Sequence, residues 1–93
     1  MRLSTPAVVC LLLAGSFDVA SAQQRCRVMD PTGTPLNVRT SPNGTIVGAL
    51  PNGLLVSVID RTVDGRGRAW VYIARRASGR PIGWVFREFI ACF

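Results

Sequence analysis

The fold is indicated by one short stretch in the first half of the chain, Leu36-Asn37-Val38-Arg39-Thr40-Ser41-Pro42. Apolar and polar side chains alternate over its first four residues, which is typical of a strand with one buried face. The chain then breaks into Pro42-Asn43-Gly44, a sequence that favours a tight turn. We therefore expect Leu36 and Val38 to face a core, and the polar residues between and after them to face solvent.

Later segments repeat this alternation in short runs cut by glycine and proline. The further predicted strands are Arg25 to Asp30, Thr45 to Leu50, Leu54 to Arg61, Ala69 to Ala74 and Ile82 to Phe86. Turn residues separate them, and Pro51-Asn52-Gly53 supplies positions that tolerate positive φ. Because none of these runs has a helical period, the sequence predicts an all-β fold, a small barrel of five to six short antiparallel strands.

The first 22 residues have a different character from the rest. Arg2 precedes an apolar run, and small residues occupy positions 20 and 22. This order predicts a secretory signal peptide, residues 1–22, cleaved after Ala22, and a secreted or periplasmic domain of residues 23–93. A membrane anchor is the alternative, but a span needs about 20 apolar residues and this run is shorter. Val9 is too large for a lipid-attachment site at Cys10, so we expect no membrane insertion.

Cleavage would remove one of the three cysteines. Cys26 and Cys92 remain near the two ends of the chain, and in an oxidising compartment each is the other's available partner. We expect a disulfide between them, with two free thiols as the alternative. Closing so long a loop stabilises a small domain by about 4 kcal/mol in the chain-entropy model. Since the chain has no histidine, we predict no metal site.

Arginine supplies all of the positive charge, because the chain has no lysine. The net charge is +6, and cleavage leaves it unchanged because Arg2 and Asp18 leave together. Guanidinium groups bind carboxylate and phosphate bidentately and stack on aromatic rings, so this surface suits planar anionic partners. The alternative is that the basic composition reflects only solubility and codon usage. Secretion argues against nucleic acid as the partner.

The residues needed for catalysis are not recognisable in the mature sequence. A Ser or Cys nucleophile needs a base, and without histidine that base would be a carboxylate. Asp60 and Asp64 are four positions apart, but they flank a loop that we interpret as solvated and matched by arginine. We therefore predict a protein that is not an enzyme and has no cofactor.

Four landmarks taken in order resemble the bacterial SH3-like domain family. They are Leu36-Asn37-Val38-Arg39 with Pro42, Ile46 to Gly53, Trp70 to Ile73, and Gly83-Trp84-Val85 with Phe89-Ile90. The resemblance spans residues 26 to 92 and implies a barrel used as a targeting or binding module. Members of the family are often attached to cell-wall hydrolases and bind wall peptides. The terminal cysteines and the arginine-rich loops depart from the general family pattern.

Aromatic residues on the fifth predicted strand are the centre of the candidate site. Val71 and Ile73 share one face and are the expected core pair, so Trp70 and Tyr72 share the other face and are expected to lean outward. Beside nearby arginines they would form a shallow groove with flat apolar platforms. The candidate ligand-binding residues are Trp70, Tyr72, Arg66, Arg68, Arg75 and Arg76.

Two alternatives remain open at this stage. Trp70 and Tyr72 would instead cover the barrel under a loop, and for Trp84 and Phe86 we expect core or rim packing. The predicted partner is a cell-wall peptide or an anionic wall polymer. The alternative function is a protein interaction, in which the chain docks on another envelope protein or inhibits it.

Overall fold

The computed structural model describes residues 24–93, and the predicted signal peptide lies outside the described residues. The strands are β1 Gln24–Val28, β2 Leu36–Arg39, β3 Ile46–Leu50, β4 Leu55–Val63, β5 Ala69–Arg75, β6 Pro81–Phe86 and β7 Ile90–Cys92. A 3-10 helix, Arg87–Phe89, lies between β6 and β7. Within residues 24–93 no helix is long and apolar enough to cross a membrane.

All strand pairs are antiparallel, and the seven strands form one sheet in the order β3-β2-β6-β5-β4-β1-β7. The prediction of a small all-β barrel is confirmed. The strand count is seven rather than five to six, because Ile90–Cys92 pairs with β1 as a strand of its own. Three residues are too few to show an alternation in the sequence.

Every strand contributes to one apolar core. Its buried members are Cys26, Val28, Leu36, Val38, Leu50, Val56, Val58, Val71, Ile73, Val85 and Ile90. One sheet can bury a common set of side chains from all its strands only by curling around them. Leu36 and Val38 are each 3% exposed, as the first stretch predicts. The core therefore takes up the inner face and leaves the outer face of the sheet for other contacts.

Strands β2 and β6 approach each other closely at Gly83. A Cβ atom at this position would lie 2.6 Å from Cγ1 of Val38 and 2.9 Å from the carbonyl oxygen of Arg39. The φ angle of Gly83 is +150°, in the range that favours glycine. The Leu-Asn-Val-Arg and Gly-Trp-Val landmarks thus meet where β2 pairs with β6, and the lack of a side chain at Gly83 allows the close approach of β2.

The predicted disulfide is confirmed and joins the first and last strands of the chain. Cys26 and Cys92 are directly opposite each other on β1 and β7, and their sulfur atoms are 2.02 Å apart. The bond closes a loop with a sequence separation of 66. It fixes β7, the strand at one edge of the sheet, against β1.

Candidate functional site

Two aromatic pairs lie on the outer face of β5 and β6, on neighbouring rungs. Trp70 is opposite Phe86, and Tyr72 is opposite Trp84. Directly opposed residues of antiparallel strands project to the same face, and Val71 between them is buried in the core. We call Trp70 and Phe86 the covered pair, and Tyr72 and Trp84 the open pair.

The covered pair is closely packed. The ring centroids of Trp70 and Phe86 are 4.0 Å apart, and Trp70 is 1% exposed. The guanidinium carbon of Arg68 lies 5.1 Å from the centroid of the Phe86 ring, at cation–π distance. The prediction that the Trp70 side chain is exposed to solvent is therefore wrong. Trp70 is on the outer face, but the loop after β4 closes over it.

Asp64 is the residue that holds this loop in place. Its side chain is 4% exposed, and its Oδ1 accepts the backbone N–H groups of Arg66 and Arg68 at 2.9 and 3.0 Å. Its Oδ2 accepts Nε1–H of Trp70, Nδ2–H of Asn43 and Nε–H of Arg68, each at 3.0 Å. The carboxylate thus links the loop after β4 to the Trp70 ring beneath it and to the turn that contains Asn43.

These hydrogen bonds stabilise the charged form of Asp64. The indole N–H of Trp70 makes the largest contribution, and together with the backbone and Asn43 donors it holds the pKa of Asp64 well below its usual range, against the opposing effect of burial. The loop is exposed at Gly65, Arg66 and Gly67, as predicted, but the Asp64 side chain is buried beneath it. The predicted arginine match is present as the Arg68–Asp64 ion pair at 3.0 Å.

Asn43 connects the covered pair to the turn between β2 and β3. This residue has a φ of 62°, which asparagine tolerates better than most residues, and its Oδ1 accepts Nη2–H of Arg68 at 2.8 Å. The Asp64-Gly65 sequence indicates a local turn with side-chain capping. The partnership with Asn43, 21 residues earlier, has no such local signal in the chain.

The open pair has no comparable cover. The ring centroids of Tyr72 and Trp84 are 5.4 Å apart with planes at 51°, and both side chains are half-buried. Arg39 is opposite Trp84 on one side, and Asp60 is opposite Tyr72 on the other. The rung therefore presents two flat amphipathic rings between a cation and an anion, an arrangement suited to stacking and hydrogen bonding with a ligand.

Arg39, the neighbour of Trp84 on β2, also borders a cavity. This cavity has a volume of about 150 Å³ and lies between β2, the loop before it, and the aromatic side chains of Phe86 and Phe89. Nη1–H of Arg39 donates to the carbonyl oxygen of Gly44 at 2.8 Å, which orients the guanidinium. We refer to the open pair, Arg39 and this cavity together as the binding face.

The six predicted site residues do not form one groove. Arg66 and Arg68 are beside the covered pair, whereas Arg75 ends β5 and Arg76 follows it. With a rise of about 3.3 Å per residue, the two ends of that strand are too far apart for one shallow site. Arg75 and Arg76 line a separate cavity of about 400 Å³ with Leu54 and Leu55.

Tyr72 is the predicted site residue that lies on the binding face. Sequence reasoning missed Arg39 and Trp84 as its neighbours, although both belong to landmark motifs. Arg39 and Trp84 are neighbours because β2 pairs with β6, and these two strands are distant in the chain. Trp84 and Phe86 are both half-buried on the outer face, in agreement with the rim packing expected for them.

The described surface is rich in arginines without ion-pair partners. In residues 24–93, Arg68 and Asp64 form the one ion pair, so the remaining arginines of this segment have no carboxylate within 4.0 Å. Over the same residues, His, Cys, Asp and Glu form no group of three that could hold a metal ion. The available chemistry is that of cationic and aromatic contacts.

The fold and the binding face define a small β-barrel of the kind used as a binding module. Residues 34–91 match the family model described as the bacterial SH3 domain, and the chain belongs to that family. This confirms the resemblance carried by the four landmarks. Neither the curated proteins nor the solved structures contain a match to the chain. Domains of this type are generally non-catalytic binding modules.

Proposed function

We propose that the protein is a secreted or periplasmic, non-catalytic binding module that recognises cell-wall peptides through the binding face. The observation that carries the proposal is the open pair, half-buried beside an oriented arginine that has no ion-pair partner within residues 24–93. Exposed aromatic rings next to arginine are enriched in recognition surfaces.

A wall peptide offers the groups that this face can bind. Short peptides with free carboxylates would lie across the rings of Tyr72 and Trp84, with a carboxylate directed to the N–H groups of Arg39 that Gly44 does not use. The net charge of +6 would steer such anionic ligands toward the protein. An anionic wall polymer would use the same charge with less dependence on the rings.

The disulfide supports the proposed location. Bonds of this kind persist in oxidising compartments and are rare in the cytosol, and Cys26–Cys92 is fully formed between paired strands. Secretion by the predicted signal peptide would bring the protein into such a compartment. Mass spectrometry of the protein recovered outside the cytoplasm should give Gln23 as the first residue.

The direct experiment is co-sedimentation of the oxidised protein with isolated cell-wall sacculi at low and moderately high salt. We expect retention at both salts for the wild type, and loss of retention for Tyr72→Ala and Trp84→Ala. Phe93→Ala is the matched control, because Phe93 is an aromatic residue 70% exposed at the end of the chain, outside the binding face.

Two other outcomes would count against this proposal. Retention that disappears with salt and survives Trp84→Ala would indicate non-specific attraction between arginine and wall polymers. Absence of retention at either salt would contradict wall binding itself and favour the second candidate function.

That second candidate is docking on another envelope protein, and strand β3 favours it. This strand is at one edge of the sheet, and Ile46 and Val47 are 49% and 57% exposed. No charged residue occurs between Arg39 and Asp60. An uncharged apolar edge can accept a strand from a partner. Val47→Lys should then abolish capture of the partner and leave sacculus binding unchanged.

A further inference from the structure

A third cavity lies on the core-facing side of the hairpin that β4 and β5 form. Arg61 is opposite Val71 and Val63 is opposite Ala69, so these four side chains share the face that leads into the core. Val71 is 1% exposed, but Val63 is 64% exposed. The core-facing side of the hairpin therefore continues beyond the core and reaches solvent.

The 3-10 helix supplies another wall of this space. Arg87 lines the cavity together with Arg61, Val63 and Trp70, and the volume is about 300 Å³. Binding pockets for small molecules occupy roughly 300–1,000 Å³, so this volume suits a small ligand. The cavity shares no lining residue with the binding face defined above.

The charge of this cavity has one sign. Arg61 and Arg87 are among its lining residues, and no acidic residue is. Within residues 24–93 neither arginine has a carboxylate within 4.0 Å. Both guanidinium groups are oriented by neutral acceptors, since Arg61 donates to Oε1 of Gln24 and Nη1 of Arg87 donates to the carbonyl oxygen of Ile90 at 2.7 Å. Their other N–H groups can serve a ligand.

We propose that this cavity binds a small monocarboxylate with an apolar body, its carboxylate held by Arg61 and Arg87 and its body placed against Val63 and Ala69. A short-chain free acid and the carboxyl end of a peptide both provide this chemistry. The site goes beyond wall recognition on the binding face, and it can be tested independently because the two sites share no residues.

The test uses two-dimensional NMR of the oxidised protein, with the backbone N–H groups of Val63 and Ala69 in the cavity wall as the reporters. Hexanoate should shift these signals saturably. Hexanamide, which has the same length and no charge, should bind about tenfold more weakly, because a charge-assisted hydrogen bond contributes more than a neutral one. N-acetyl-alanyl-leucine and its C-terminal amide form the second arm. Tighter binding of this acid than of hexanoate would identify a peptide end, and the reverse order a free acid.

Three variants locate the site. Arg61→Gln should weaken hexanoate binding about tenfold by removing one charged donor. Val63→Glu should abolish binding by placing an anion at the cavity mouth, and its high exposure makes the substitution compatible with folding. Arg80→Gln is the control of equal charge change, at a position outside the cavity, and should bind as the wild type does.

The proposal is overturned by any of three results. These are no shift of the Val63 and Ala69 signals with hexanoate, equal binding of hexanoate and hexanamide, and unchanged hexanoate binding in Val63→Glu. None of them would bear on sacculus retention, which depends on the open pair.

Discussion

The covered pair and the open pair are neighbouring rungs of the same two strands, yet Trp70 of the covered pair is buried and both rings of the open pair are partly accessible. Trp70 and Phe86 are 4.0 Å apart under a loop, and Trp70 is 1% exposed. Tyr72 and Trp84 are 5.4 Å apart and half-buried. Strand geometry is shared by the two rungs and does not account for this difference.

The difference comes from the loop between β4 and β5. Asp64 accepts five hydrogen bonds and binds both Asn43 and Trp70, which fixes the loop over one rung. The next rung has Arg39 and Asp60 as its neighbours on the adjacent strands, and both of its rings are half-buried. Alternation in a strand thus selects the face of a side chain, and a loop held by a buried carboxylate decides whether that face is accessible.

The largest expected effect is on stability when the covered pair is broken. Trp70→Ala should lower the free energy of unfolding by about 3–5 kcal/mol, the usual cost of truncating a buried large aromatic side chain. Trp84→Ala should cost less, because that side chain is only partly buried in the folded protein. Urea denaturation of both variants measures the difference. Equal losses would contradict the distinction between the two pairs.

The second largest expected effect is the loss of stability when the carboxylate of Asp64 is replaced. Asp64→Asn replaces an oxygen that accepts three donors with an amide whose NH₂ group would face them, so the loop should open over Trp70. We expect a lower Tm and a Trp70 signal that broadens or shifts by NMR. Asp60→Asn is the matched control, since within residues 24–93 that exposed aspartate bonds only to the adjacent backbone N–H of Arg61. A similar Tm for the two variants would show that Asp64 does not hold the loop.

The smallest expected effect is a change with pH in the stability that Asp64 contributes. The pKa of Asp64 is lowered by folding, so this residue contributes stability that is present above its unfolded pKa of about 3.9 and is lost as the pH falls toward its folded pKa. The difference in unfolding free energy between wild type and Asp64→Asn should therefore be largest above about pH 5 and shrink below about pH 4. Chemical denaturation across this range measures it, and a constant difference would contradict the assigned hydrogen bonds.

Local sequence patterns were sufficient for six of the seven strands, the inward positions of Leu36 and Val38, and the disulfide. Each depends on alternation or on the small number of available cysteines. The candidate site was harder to predict, because Arg39 and Trp84 become neighbours only through the crossing at Gly83. The burial of Trp70 depends on Asn43, a turn residue far from it in the chain, and strand alternation carries no information about such a contact.

The measurement that tests these conclusions most directly is acrylamide quenching of tryptophan fluorescence in two single-tryptophan variants. Trp84→Phe retains Trp70 as the emitter, and Trp70→Phe retains Trp84, because the chain has two tryptophans. We predict weak quenching of Trp70, strong quenching of Trp84, and protection of Trp84 alone when soluble wall peptides are added. Equal quenching of the two residues, or protection of Trp70 rather than Trp84, would contradict the open pair as the binding surface.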